Sequence, residues 1–88
     1  MHIVKKVEYL HDYKLRLRFE GDTLKIVDLK SHLDGEIFEP LKEQEYFRQV
    51  VVDQDLDTIV WPNGADFSPD FLFEIGAQLP EQTSVQAA

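Results

Sequence analysis

Apolar and charged residues alternate most strictly between positions 13 and 19. The apolar residues hold every second position and the basic residues stand between them: Tyr13, Leu15, Leu17 and Phe19 against Lys14, Arg16 and Arg18. A period of two is typical of a β-strand with one buried and one solvated face. The pattern therefore predicts a strand over 13–19 whose basic side chains face water.

Two further strands flank this one in the prediction. The run Ile3–Leu10 is rich in β-branched and aromatic residues and predicts a first strand. Gly21 and Asp22 suit a two-residue hairpin turn of type II′, since glycine accepts the positive φ that such a turn requires. Thr23–Leu29 then returns as a third strand.

The predicted turn fixes the register of the second hairpin. It places Phe19 opposite Leu24 and Leu17 opposite Ile26 on the buried face. On the solvated face four basic residues would line up as a strip, Lys14, Arg16, Arg18 and Lys25. A solvated sheet face is the interpretation that we favour for this strip, with a docking surface as the alternative.

The second half of the chain predicts a helix and another hairpin. Residues Ser31–Glu39 have the mixed composition of a connection, and Pro40 suits the first position of a helix that runs to about Arg48. The β-branched runs Val50–Val52 and Thr58–Trp61 predict two strands joined by a loop of about five residues.

The segment after these strands predicts a corner that leads into a last short helix. Trp61–Gly64 carries β-turn residues at each position, and Ser68 followed by proline is typical of a helix start. Phe67 and Leu72 are spaced as a hydrophobic staple, and Gly76 ends the helix. We interpret the segment as a structural corner rather than a catalytic loop.

Together these elements predict an α+β fold. It consists of a small antiparallel sheet of about five strands, in two hairpins, with two short helices packed on it in the order β-β-β-α-β-β-α. Residues 1–76 form the domain, and 77–88 form a polar C-terminal tail.

Composition narrows the class of protein. The chain has 88 residues, 43% of them apolar, which suits one soluble globular domain with a modest core. Cysteine is absent, which excludes disulfides, thiolate metal sites and a cysteine nucleophile. The N-terminus lacks the pattern of a signal peptide, so we expect a cytoplasmic protein.

Charge is spread unevenly along the chain. The net charge is −8, divided as +2 over residues 1–30 and −10 over the rest. Non-specific binding to nucleic acid requires a concentrated basic surface, so this charge balance argues against such binding by the whole domain. A basic protein partner fits this balance better.

The candidate chemical motifs are incomplete. The run Asp53-x-Asp55-x-Asp57 opens like a calcium loop, but Thr58 stands where the loop needs glycine and Gly64 where it needs an acid. The three histidines lack the spacing of a zinc site, and the four glycines stand singly rather than in a phosphate-binding loop. We predict no catalytic residue, no metal and no cofactor.

Several segments are similar to the bacterial family called domain of unknown function 2442. They are Phe38-Glu39-Pro40-Leu41, Phe47-x-x-Val50-x-Val52-Asp53 and, most specifically, Thr58 to Asp66 with the letters TIVWPNGAD. The resemblance implies a small α+β domain, and paired modules of the toxin–antitoxin kind. Some members continue into a helix-turn-helix; only twelve residues follow Gly76 here.

Two functions of different classes follow as hypotheses. The first is a non-enzymatic interaction domain, an acidic partner of a basic protein, with Trp61, Phe38, Tyr46 and Phe67 as aromatic anchors where exposed. A homodimer formed through an open first strand is compatible with it. The second is a small-molecule site at the Trp61–Asp66 corner, with Asn63 in its wall and Asp66 as its acid. Nucleic-acid contact by the basic strip ranks last.

Overall fold

The computed structural model describes residues 1–78. The strands are β1 (Val4–His11), β2 (Lys14–Phe19), β3 (Thr23–Asp28), β4 (Val51–Asp53), β5 (Thr58–Val60) and β6 (Ala77–Gln78). The helical elements are two 3₁₀ helices (Lys30–His32 and Glu36–Lys42), α1 (Gln44–Phe47) and α2 (Pro69–Ile75). The predicted α+β class is confirmed. No helix in the described part of the chain is both long and apolar enough to cross a membrane.

The strands form two antiparallel sheets. One has four strands in the order β1-β2-β3-β6, and the other is the β4-β5 hairpin. Both predicted hairpins are confirmed, but they do not share one sheet. Ala77 and Gln78, which the sequence assigned to the tail, pair with Ile26 and Lys25 of β3. The rest of the predicted tail, 79–88, lies outside the described residues.

The predicted register of the β2–β3 hairpin is wrong by one residue. In the structure Leu17 lies opposite Lys25 and Phe19 opposite Thr23. Because side chains alternate between the two faces of a sheet, this shift moves Lys25 to the face that the sequence had assigned to its neighbours.

The length of the turn causes this shift. Three residues, Glu20–Asp22, connect the strands instead of two, and the Asp22 N–H donates to the Phe19 carbonyl at 3.1 Å. Gly21 and Asp22 both have positive φ, 93° and 67°. Asp and Gly are residues that tolerate this conformation, so the same letters suit either turn length.

The predicted helix from Pro40 to Arg48 is divided into two helical elements. Pro40 lies inside the second 3₁₀ helix, and the chain is extended at Glu43, with φ −83° and ψ 126°, before α1 begins. Leu41 and Phe47 are both buried. Six residues apart on one continuous helix, they would point about 120° away from each other. The break at Glu43 lets both side chains enter the same core.

The core lies against one face of the four-stranded sheet, which we call the inner face. Its residues on this sheet are Val4, Leu15, Leu17, Phe19 and Val27, and the residues packed against them include Leu33, Leu41, Phe47, Ile59, Trp61 and Leu72. The second sheet, the second 3₁₀ helix, α1 and α2 thus share a single hydrophobic core on this side.

Helix α2 begins and ends as the sequence predicts. The Ser68 hydroxyl accepts a hydrogen bond from the Phe71 N–H at 3.3 Å, and Pro69 occupies the first helical position. Gly76 follows the last helical residue and donates to the Leu72 carbonyl at 3.1 Å. A helix this short is marginal alone, and burial of Leu72 holds it on the sheet.

Candidate interaction surface

Trp61 is a core residue and not an exposed anchor. Its side chain is 2% exposed, and its indole Nε1–H donates to the Phe47 carbonyl at 2.9 Å. The ring packs at 5.6 Å from the Phe47 ring and 5.9 Å from the Phe67 ring, measured between centroids. Burial of this large side chain with its one polar atom satisfied is a structural role.

Asn63 fastens the corner to the rest of the domain. Its amide Nδ2 donates to the Ile37 carbonyl at 2.8 Å, and its Oδ1 accepts from the Ala65 N–H at 3.1 Å. The turn itself closes with the Gly64 N–H on the Trp61 carbonyl at 2.9 Å, and its peptide bonds, including Trp61–Pro62, are trans. Both polar groups of Asn63 are therefore occupied by backbone groups.

Asp66, at the end of the corner, lies on the protein surface. Its backbone forms an isolated antiparallel bridge with Val60, and its side chain is exposed. Neither of the two cavities described below borders this residue. Trp61 does not line either of these two cavities.

Phe38 and Tyr46 are half-buried at the edge of the core. The Phe38 ring stacks on the Phe67 ring with centroids 4.8 Å apart, and Tyr46 packs against the core from α1. Their contacts are therefore mainly internal, and they offer a partner only part of their surface.

The aspartates of the β4–β5 loop bind their own backbone. The Asp53 carboxylate accepts from the Asp55 N–H at 2.9 Å and from the Leu56 N–H at 3.3 Å. Such local bonds are the usual role of aspartate in a turn. Among residues 1–78, no group of three or more His, Asp or Glu side chains is placed to hold a metal ion.

Opposite the core, the four-stranded sheet presents a second face, which we call the outer face. Its side chains stand in cross-strand rows: Lys6, Arg18 and Leu24; Glu8, Arg16 and Ile26; His11, Lys14 and Asp28. None of these residues belongs to the hydrophobic core of the described chain. The outer face thus combines basic side chains with two half-buried apolar ones, Leu24 and Ile26.

Three of the four residues predicted for the basic strip lie on the outer face, and Lys25 does not. Lys25 is on the inner face and only 8% exposed. Its Nζ donates to the Phe73 carbonyl at 2.6 Å and lies 3.7 Å from the centroid of the Phe73 ring. The carbonyl and the ring stabilise the buried ammonium, so Lys25 joins α2 to β3.

Gly76 makes this contact between α2 and Lys25 sterically feasible. A Cβ atom at position 76 would lie 2.9 Å from the Lys25 Cβ and 3.0 Å from its Cδ. A cavity of about 670 Å³ opens beside the contact, and Lys25, His2, Asp70, Phe73 and Glu74 are in its wall. Its charged groups are of both signs, and the Lys25 ammonium already has the Phe73 carbonyl as acceptor.

The two arginines of the outer face differ in how closely they pair with an acid. The Arg16 guanidinium binds the Glu8 carboxylate, with Nε 3.0 Å from Oε1. Arg18 has only a loose contact to Asp22, 3.8 Å from Nη1 to Oδ1, and the Asp22 side chain is 91% exposed. Exposed pairs of this kind contribute little, so Arg18 is the less neutralised of the two arginines.

A depression of about 410 Å³ lies on the outer face. It is lined by Lys6, Val7, Glu8, Arg16, Arg18 and Leu24. Arginine donors in a fixed fork suit carboxylate or phosphate oxygens, and leucine supplies an apolar contact beside them. The depression can therefore bind an anionic group that carries an apolar neighbour.

The sequence predicts an acid such as Glu8 or Glu20 near the basic residues of this surface but does not place Lys6 on it. The β1–β2 pairing is interrupted between Val4 and Lys6 and again between Tyr9 and His11, which disturbs the alternation along β1. Lys6 and Glu8 have the two-residue spacing of one face, and only pairing with β2 shows which face it is.

Perturbed pKa values occur away from the outer depression. A hydrogen bond from His11 lowers the pKa of Asp12 below its ordinary value of 3.8. A hydrogen bond to Glu39 raises the pKa of Lys42 above its ordinary value of 10.5. Both groups are exposed, so these shifts describe surface pairs and not a reactive site.

Comparison with known proteins gives one match. No curated protein and no solved structure matches the chain. A family model described as a protein of unknown function, DUF2442, matches residues 4–77, which span β1 to the start of β6. This match agrees with the resemblance found in the sequence, and the chain belongs to the DUF2442 family.

Proposed function

We propose that this chain is a non-enzymatic protein-interaction domain and that the outer face is its contact surface. The observation that carries the proposal is the asymmetry of the four-stranded sheet. Its inner face packs against every other main element, while its outer face leaves Arg16, Arg18, Leu24 and Ile26 outside the core. A sheet face with apolar side chains and no core contact is suited to a partner.

The chemistry of the outer face supports a protein partner. Arginine is enriched in protein interfaces, where its planar group forms several hydrogen bonds and packs on apolar surface. Leu24 and Ile26 lie next to the arginines in the same cross-strand rows and are half-buried. Burial of their remaining surface would supply affinity, and the charged groups would fix the orientation.

The alternative of a small-molecule site at the corner has less support. Trp61 is in the core, and both polar groups of Asn63 bind backbone. Asp66 would have to bind the small molecule without help from the Trp61 and Asn63 side chains. The paired-module role that the family resemblance implies, in the cytoplasm, is compatible with the proposal, which requires only a protein partner.

Affinity capture with two matched variants tests the proposal. The tagged full chain is compared with Leu24→Thr/Ile26→Thr, which makes the outer face polar. The control is Val51→Thr/Leu56→Thr, since these residues are 55% and 52% exposed and lie on the β4–β5 hairpin. Circular dichroism and thermal unfolding confirm that each variant is folded.

The proposal predicts one stoichiometric protein companion that the outer-face variant loses and the control retains. Recovery of the wild-type chain without a stoichiometric companion would contradict it. Loss of the companion in the control, with retention in the outer-face variant, would assign the contact to another surface.

A further inference from the structure

Resting on the proposed function, we infer that the outer face takes an acidic partner segment. In this inference a carboxylate of the partner binds between Lys6 and Arg18, and an apolar side chain next to it packs on Leu24. The charge of the chain as a whole, −8, favours the opposite sign of partner. The charge of the outer face therefore favours an acidic partner, whereas the charge of the whole chain favours a basic one. We expect the charge of the outer face to decide the contact.

The outer face differs in charge from the rest of the molecule. Its rows hold four basic residues and two acids, 4 − 2 = +2. Subtracting this from the net charge of −8 leaves −10 for the remaining chain. Because the Debye length is about 8 Å at physiological ionic strength, groups in contact with a partner outweigh charges on distant surfaces.

Lys6 and Arg18 are the centre of the inferred contact. They lie directly opposite each other in the β1–β2 register. Facing positions bring Cβ atoms to about 4.5–5.5 Å, and like charges on side chains directly opposite each other are unfavourable. Among residues 1–78, the ion pair given for these two cations is that of Arg18 with Asp22 at 3.8 Å, while the nearby Glu8 carboxylate is bound to Arg16. A carboxylate from outside would bind both cations and remove the repulsion.

The neighbouring groups define which anion fits. Arg16 is already bound to Glu8, and the Glu8 carboxylate limits the depression on that side. Leu24 stands in the same row as Lys6 and Arg18. A carboxylate flanked by an apolar side chain, as in a mixed acidic and apolar protein segment, meets all three residues at once.

Nucleic acid fits this surface less well. The outer face offers four cations, and two of them have acidic partners in Glu8 and Asp22. A protein that binds duplex DNA commonly makes about 6–10 phosphate contacts, and a long polyanion would also meet the −10 charge of the remaining chain. A second copy docked through the same face would place like charges together.

Fluorescence anisotropy with three defined probes tests the inference on the full chain. Two labelled peptides of equal length share the same leucine positions and carry glutamate in one and lysine in the other. The third probe is a short labelled DNA duplex. Titrations are made at low and at physiological salt, and nitrogen–proton NMR spectra show which amide signals move.

A pair of charge-reversal variants provides the matched comparison. Lys6→Glu/Arg18→Glu changes the outer face. Lys30→Glu/Lys42→Glu makes the same change in net charge at exposed positions outside the β1–β2–β3 rows. We expect the acidic peptide to bind and its affinity to fall about tenfold or more in the first variant. The affinity of the second variant for the acidic peptide should stay within about twofold of wild type, because its substituted residues do not contact the peptide.

Several results would overturn the inference. They are preference for the lysine peptide or the duplex, equal weakening by both variants, and absence of acidic-peptide binding with no movement of β1 and β2 amide signals. Sedimentation without a probe tests the second copy: self-association abolished by Lys6→Glu/Arg18→Glu would assign the face to a homodimer instead. If one of these overturning results occurs while the companion in the capture experiment still requires Leu24 and Ile26, the interaction function stands and the acidic partner is rejected.

Discussion

Replacing Trp61 by phenylalanine tests whether the corner is a structural element of the core. The indole is 2% exposed and donates its N–H to the Phe47 carbonyl at 2.9 Å. Phenylalanine fills part of the same space but has no N–H. The variant therefore leaves a void beside the Phe47 and Phe67 rings and a buried carbonyl without its donor.

The cost follows from these two losses. Reducing the size of a buried aromatic side chain costs roughly 1–2 kcal/mol, as a fraction of the larger loss on truncation to alanine. A buried carbonyl without its partner costs about 1–3 kcal/mol. Together the free energy of unfolding should fall by about 2–5 kcal/mol, a large part of the roughly 4–13 kcal/mol typical of a domain of this length.

Urea unfolding followed by far-ultraviolet circular dichroism measures this change. Fluorescence is unsuitable for the variant because Trp61 is the single tryptophan of the chain. The matched control is Asp66→Asn, at an exposed position of the same corner, which should stay within about 0.5 kcal/mol of wild type. A cost below about 1 kcal/mol for Trp61→Phe, or an equal cost for both variants, would refute the structural role.

Other predictions concern α2 and a surface pair. Gly76→Ala should destabilise the domain by about 1–3 kcal/mol in urea, because its Cβ would press on Lys25; unchanged stability would show that α2 does not end against β3. Ser68→Ala should cost about 1 kcal/mol through loss of the N-cap, and no cost would contradict that cap. His11→Ala should raise the pKa of Asp12 toward 3.8 in an NMR titration. Because the pKa of Asp12 is lowered in the folded state, its contact with His11 stabilises the fold above pH 3.8, and this stabilisation is lost as the pH falls through the folded-state pKa. An Asp12 pKa that stays the same in His11→Ala would contradict the pairing.

Local patterns were sufficient for the parts of the fold that local chemistry decides. Strict alternation of apolar and basic residues predicted β2, and Ser68 with the following proline predicted the start of α2. The Trp61–Gly64 turn was also predictable, because proline, asparagine and glycine each suit their position in it. In each case residues within one turn or one strand of each other determine the geometry.

The errors arise where distant contacts decide between local alternatives. Leu24 and Ile26 alternate with Lys25 and Val27, so either pair could face the core. The inner position of Lys25 depends on the Phe73 carbonyl, 48 residues away in the chain. The outer face was only partly predictable for the same reason: Lys6 joins Arg18 through strand pairing, which no single segment contains.

Methyl NMR on the complex tests the role of the outer face most directly. A companion protein recovered by capture is titrated into the chain with labelled isoleucine and leucine methyl groups. Leu24 and Ile26 report on the outer face, Ile37 and Leu56 on other exposed apolar positions, and Ile59 on the core. We expect the signals of Leu24 and Ile26 to shift while those of the other three stay in place. Unchanged Leu24 and Ile26 signals, with shifts at Ile37 or Leu56, would contradict it.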